Sequence, residues 1–165
     1  MIKQTLILLF LGILSACHYH LRGSVEVPEV LRNVYVQSAS PLLYNSFKDS
    51  LQMAGGKLID KPSPKGVIIR ILDEKFDRRS LSLSSTGKAS EFELTYNLIF
   101  EVLGFDNQVF MPRQQINIRR DYFNDQQDII GKSNEEVLIR QEMYNQAVRA
   151  LMDRGRASLN SAHKK

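Results

Sequence analysis

The chain has 165 residues, with 22 Lys and Arg against 18 Asp and Glu, a formal net charge of +4, and 43% apolar residues. That length supports one domain with a real core, and that balance excludes wholesale disorder. A single Cys excludes an internal disulfide framework and any zinc site built on Cys pairs, and nine Gly with five Pro exclude a collagen-like or Pro-rich chain.

Residues 1–16 read as a signal peptide. Lys3 is the positive start, and Leu6–Leu14 is an apolar run too short to span a bilayer. The run ends Leu14-Ser15-Ala16-Cys17, which resembles the bacterial lipobox, where cleavage precedes a Cys that is then acylated. The alternative is an ordinary signal peptide that happens to contain a Cys. Against it stands the placement of the chain's only Cys at the one position a lipobox requires. Cys17 is therefore the expected lipidation site and membrane anchor, and several acyl chains hold far more firmly than one. By the usual sorting rule an Asp after the Cys retains a lipoprotein at the inner membrane. His18 stands there instead, so the outer membrane is expected. Export also removes routine access to nucleic acid, and no nucleic-acid partner is expected despite the basic balance.

Residues 17–32 have no clear period and read as a tether. Val34-Tyr35-Val36 reads as a strand. Ser40-Pro41 places an N-cap before Pro at the first helical position, and Leu43, Phe47 and Leu51 then form one apolar stripe. Gly55-Gly56 ends that helix, and 61–66 is a Pro-rich loop. Val67–Phe76 is a second strand. From Phe92 to Val102 every alternate residue is apolar, the clearest period of two in the chain, so 91–103 is a third strand with one buried face. Residues 109–120 form a fourth, where Pro112 suits an edge or a bulge. The last helix is expected to open at Ser133, with Ser133 and Glu136 as a capping box and Val137, Tyr144, Val148 and Leu151 on one face. Residues 154–165 read as a polar, frayed tail. The order β-α-β-β-β-α predicts an α+β fold over 33–153. It is a two-layer α/β sandwich in which a mixed, mostly antiparallel four-stranded sheet carries two helices on one face, with a right-handed first crossover.

Catalysis is disfavoured. His18, His20 and His163 lie at the chain ends, so neither a Ser-His-Asp nor a Cys-His arrangement has a base within the fold. His18 and His20 alone make a poor metal site. Glu91, Glu93 and Glu101 share one face of a strand; they are either paired carboxylates or, as read here, a solvated sheet face. No enzyme activity, cofactor or metal is expected. The topology does give a clue. The loop 77–90, with Arg78, Arg79 and Lys88, and the return of the fourth strand, with Arg119 and Arg120, meet at one end of the sheet. Lys132, before the last helix, arrives there too. A helix N-terminus adds partial positive charge. Asp73, Asp77, Asp121, Asp125 and Asp128 dilute the field, so an ordinary mixed-charge surface is the competing reading. The Ser-rich tip with Lys88 suits an anionic, hydrogen-bonding ligand such as a phosphorylated sugar, or a mobile hairpin tip.

Cys17-His18-Tyr19-His20-Leu21-Arg22-Gly23, Glu91-Phe92-Glu93-Leu94-Thr95-Tyr96 and Glu142-Met143-Tyr144-Asn145-Gln146-Ala147, in this order of elements, resemble the LptE (RlpB) family of LPS-assembly lipoproteins. The resemblance implies a two-layer sandwich that plugs the LptD β-barrel in the outer membrane, helps it assemble, and binds lipopolysaccharide. It implies that basic residues in the loop between the second and third strands and just before the last helix carry that binding. Lys132 matches the second position. In the first loop other members place an Arg near what is here Ser85, and Lys88 is the nearest basic residue. Lys88 and Lys132 are the expected main contacts, with Arg78, Arg119 and Arg120 secondary. Two other functions compete: an outer-membrane adaptor that binds only protein partners, and an exported hydrolase using Glu or Asp.

Overall fold

The computed structural model describes residues 29–84, 87–123 and 129–162. A turn of 3-10 helix (Glu29–Arg32) leads into β1 (Asn33–Gln37), α1 (Pro41–Met53), β2 (Lys57–Leu58), β3 (Val67–Leu83), β4 (Ala89–Leu103), β5 (Val109–Phe123) and α2 (Ile129–Ala162). The strands form one mixed sheet in the order β2-β1-β3-β4-β5. β1 runs parallel to β2 and β3, and β3, β4 and β5 are antiparallel. This is the expected α+β sandwich with a fifth strand. β2 has only two residues, too few to show a period, and it exists because Asn33 and Val34 align with Lys57 and Leu58.

α1 forms as its sequence dictates. Ser40 is extended at the N-cap, its hydroxyl accepts from the Leu43 N–H at 3.3 Å, and Pro41 follows where no N–H is needed. A sheet residue completes the cap: the Glu74 carboxylate accepts the Ser40 N–H at 3.0 Å and its hydroxyl at 2.6 Å. Leu43, Phe47 and Leu51 are fully buried against the sheet. The helix stops at Gly55, whose φ of +76° is the left-handed conformation that ends helices. Gly66 is needed for a different reason: a Cβ there would lie 2.4 Å from the Asn33 carbonyl oxygen.

β4 is the spine of the core. Leu94, Tyr96, Leu98, Phe100 and Val102 are buried beneath the helices, as the alternation predicts, while Thr95, Asn97 and Ile99 face away. β5 is an edge strand, and Pro112 sits where two of its residues, Pro112 and Arg113, oppose Glu101 of β4, a bulge at which a missing N–H costs little. The two helices run side by side in the same sense: Gln141 donates to the Ser46 hydroxyl at 3.0 Å, and Ser50 and Ala54 lie opposite Arg149 and Arg156.

Several expectations need correction. The loop expected over 77–90 is strand as far as Leu83, so Arg78 and Arg79 belong to β3 and are held by pairing with β4. The end of the expected 17–32 tether is part of the fold, because Leu31 is buried in the core. α2 begins at Ile129, so Ser133 lies inside the helix and the capping box does not form; Glu136 instead holds partners from the sheet. Val137 is 63% exposed, because the buried stripe runs through Met143, Tyr144, Ala147, Val148 and Leu151. The segment 154–165 is not a tail from its first residue. Helix continues to Ala162, Arg154 donates to the Gln115 carbonyl at 2.8 Å, and Gly155 lies beside Leu31 and Met111.

Candidate functional site: the hairpin end of the sheet

β3 pairs with β1 only through Val67–Arg70, so its remaining residues extend with β4 and β5 as a three-stranded arm. Register decides the neighbours there. Arg78 lies opposite Leu94, and Leu94 opposite Arg120; Arg79 lies opposite Glu93, and Glu93 opposite Asp121. Alternation then splits the basic residues between faces. Arg79 and Arg119 share the open face with Glu93. Arg78 and Arg120 share the helix face with Phe92 and Tyr122.

On the open face Glu93 is only 6% exposed. Its carboxylate accepts from Arg79 Nε at 2.6 Å and lies 3.1 Å from Arg119 Nε. The Arg79 hydrogen bond holds the Glu93 carboxyl below the usual range, and the Arg119 charge adds to this against the cost of burial. The expected solvated face of Glu91, Glu93 and Glu101 is therefore corrected. Glu93 is buried between two guanidinium groups, Glu101 pairs with Arg70 at 2.9 Å, and Glu91 accepts from Ser82 at 3.3 Å. None of these carboxylates has another carboxylate as its partner among the described contacts, as acid-base pairing would require.

On the helix face Glu136 is the hub. Arg140 donates to one carboxylate oxygen through Nη2 at 2.6 Å and Nε at 2.9 Å, while the Tyr122 hydroxyl donates to the other, which lies 3.2 Å from Arg78 Nε. Arg78 also donates to the Tyr122 oxygen at 3.1 Å. Burial pushes the Glu136 carboxyl up, but the hydrogen bonds from Tyr122 and Arg140 and the nearby cations outweigh it and hold it below the usual range. Aromatic faces complete the cluster. The Arg78 guanidinium sits 3.6 Å from the Phe92 ring centre, and that of Arg140 sits 4.0 Å from the Phe76 ring centre. Arg120 donates to the Gln146 side-chain carbonyl and the Arg119 backbone carbonyl.

The structure thus brings Arg78, Arg79, Arg119 and Arg120 to one end, as the topology predicts, but ties each to protein groups. Lys88 differs. The tip is closed by the Ser84 N–H on the Lys88 carbonyl at 2.7 Å, and the Lys88 side chain is exposed with no ion-pair partner among the described residues. Exposed Leu81, Leu83 and Phe123 stand at the same end, so a cation is presented beside apolar surface. Lys132 lies one helical turn before Glu136 on α2, within the helix rather than ahead of it; its side chain, like Ser85, Cys17, His18, His20 and His163, lies outside the described residues. Sequence reasoning missed Tyr122 and Arg140 and gave Glu136 a capping role in place of this one. The spacing of Glu136 and Arg140 by four was the available signal for that pair, whereas Tyr122 needed the strand register.

Residues 31–154 match the model of the LptE family, described as lipopolysaccharide-assembly. The LPS-assembly lipoprotein LptE of Photorhabdus laumondii is 27% identical over 156 residues, 91% of this chain and 85% of that one. Its counterpart from Pectobacterium atrosepticum is 27% identical over 148 residues, 85% of this chain and 77% of the relative. Among solved structures, lipoprotein B from Nitrosomonas europaea superposes with a TM-score of 0.69 at 26% identity, covering 86% of this chain and 92% of that one. Rare lipoprotein B from Shewanella oneidensis gives 0.62 at 25% identity, covering 81% and 99%.

Proposed function

The chain belongs to the LptE family, and from that premise we propose that it is a lipoprotein of lipopolysaccharide assembly, anchored in the outer membrane through Cys17. In this reading it plugs and helps assemble the LptD β-barrel and binds lipopolysaccharide during transport to the outer leaflet. The observation that carries ligand binding is the hairpin tip. Lys88 is exposed with no described ion-pair partner, beside exposed Leu81, Leu83 and Phe123. A phosphorylated, acylated ligand asks for this combination, since an ammonium is a compact partner for phosphate and apolar side chains suit acyl chains. Lys132 is the second proposed contact. Arg78, Arg119 and Arg120 are secondary, because their guanidinium groups already serve Glu136, Tyr122, Glu93 and Gln146.

The test is the double variant Lys88→Glu with Lys132→Glu, assayed for lipopolysaccharide binding, thermal midpoint and co-purification with the barrel. Weaker ligand binding in a folded, barrel-associated variant is expected. Unchanged binding refutes these contacts. The arginine pairing favours a second reading, an adaptor that binds only protein partners; it predicts barrel co-purification with no lipopolysaccharide binding by the purified protein. Mass spectrometry checks the anchor, with an N-terminal lipid-modified Cys17 expected and a free thiol there overturning it.

A further inference from the structure

At the opposite end from the hairpin tip, the parallel helices do not close on each other. α1 and its C-cap present Ser50 and Ala54, one turn apart and both short. α2 presents Arg149, Met152, Asp153 and Arg156, which fall on one helical row at spacings of three and four. Short residues facing long ones leave a groove of about 150 Å³ lined by these six. Its polar groups are unevenly satisfied. Arg156 reaches Asp153 through Nη1 at a long 3.4 Å, but its Nε is buried with no hydrogen-bond partner among the described residues. Arg149 has no ion pair among the described residues. Buried N–H groups are nearly always partnered, so an unpartnered N–H on an arginine that lines the groove leaves a donor for which the described fold supplies no acceptor.

We infer that this groove is a binding site for a phosphate-type oxyanion, distinct from the Lys88 tip. Two guanidinium groups and the Ser50 hydroxyl can all donate, one carboxylate opposes them, and the site carries a surplus positive charge. The fitting ligand accepts hydrogen bonds and does not donate them. Guanidinium forks match tetrahedral oxyanions in particular. Met152 and Ala54 supply an apolar wall for a short carbon stem, so a phosphate monoester fits as well as a free ion. The inference does not depend on lipopolysaccharide binding at the hairpin tip.

The test uses the full-length lipidated protein in detergent micelles, titrated with inorganic phosphate, glycerol 3-phosphate and acetate, and read by NMR at the arginine Nε–H resonances. Both phosphates are expected to shift the Arg156 and Arg149 signals. Tighter binding of glycerol 3-phosphate identifies a lipid headgroup as the source, and equal binding a free ion. Arg156→Lys, which keeps charge but loses the fork, is expected to weaken binding by roughly tenfold. Ser50→Leu, which fills the groove, is expected to abolish it, and Lys88→Glu to leave it unchanged. Arg149→Gln, at an exposed position, removes one proposed donor without filling the groove and is expected to weaken binding. No shift with either phosphate, a response to acetate alone, or binding that survives both Ser50→Leu and Arg149→Gln overturns the site.

Discussion

The two halves of the sheet are held together by different chemistry. Around β1 the sheet has five strands, both helices cover one face, and the filling is apolar: Val34, Phe47, Leu51, Ile69, Phe100 and Leu151 are fully or almost fully buried. Toward the hairpin tip only β3, β4 and β5 remain, and charge takes over. Glu93 holds two arginines on the open face, and Glu136 ties Arg78, Tyr122 and Arg140 to the helix face. Apolar burial is non-directional and tolerates changes in partner; the charged arm depends on a few hydrogen bonds in fixed positions. The apolar half is therefore the source of global stability, and the charged half is where local geometry can be altered without unfolding the protein.

The sharpest way to break this contrast is in the spine. Leu98 is fully buried, and Leu98→Ala is expected to cost about 2–5 kcal/mol through lost burial and the cavity left behind. Its neighbour Asn97 faces the opposite side and accepts one hydrogen bond from Gln115. Asn97→Ala is expected to change stability by about 0.5 kcal/mol or less. Chemical denaturation of both variants decides the matter. A small effect at Leu98 would show that the apolar half is not the stabilising one.

The same contrast explains how far the sequence could be read. The apolar half announces itself by period: every second residue of β4 and every fourth of α1 is apolar, and from Leu94 to Val102 and from Leu43 to Leu51 those positions are buried. The charged half has no period. Arg78 and Arg79 are adjacent in sequence yet serve Glu136 and Glu93 on opposite faces, because side chains alternate along a strand. Their partners lie far along the chain and become neighbours only once register is fixed. The end of the molecule was thus legible as a gathering of basic residues, but not which of them remain free. Ser133 with Glu136 misled for a related reason: the capping-box spacing was present, but Tyr122, Arg78 and Arg140 compete for the same carboxylate.

Glu136 gives the second, smaller break. Its side chain is 20% exposed and its arginine partners are more so, which limits the worth of the ion pairs. Glu136→Gln is expected to cost about 1–2 kcal/mol, chiefly by leaving Arg78 and Arg140 without a counter-charge. The effect carries a pH signature. The carboxyl is held below its ordinary value in the folded protein, so its contribution is complete above the unfolded pKa of about 4.3 and is lost as pH falls through the lower folded value. The gap between wild type and variant should close in acid. Hydrogen exchange is expected to locate the loosening in the first turns of α2 rather than in the β4 spine. Loss of protection across the whole sheet would instead make the charged cluster part of the global core.

The smallest expected change in stability is at Lys88. The side chain is exposed at the tip and has no ion-pair partner among the described residues, so nothing in the described fold depends on its charge. Lys88→Glu should shift stability by about 0.5 kcal/mol or less. Its neighbour in charge, Arg79, is the control. Arg79→Glu leaves the buried Glu93 with Arg119 alone and places a like charge beside it, so its destabilisation should exceed that of Lys88→Glu although both reverse one charge. Thermal midpoints measured side by side read this difference directly, and it should narrow in high salt only in part, since Glu93 is buried. If Lys88→Glu proved the more damaging, the tip would hold a structural contact, and its free cation could no longer be assigned to a ligand. A neutral result at Lys88 with a loss at Arg79 separates the residue available for binding from the residue committed to the fold.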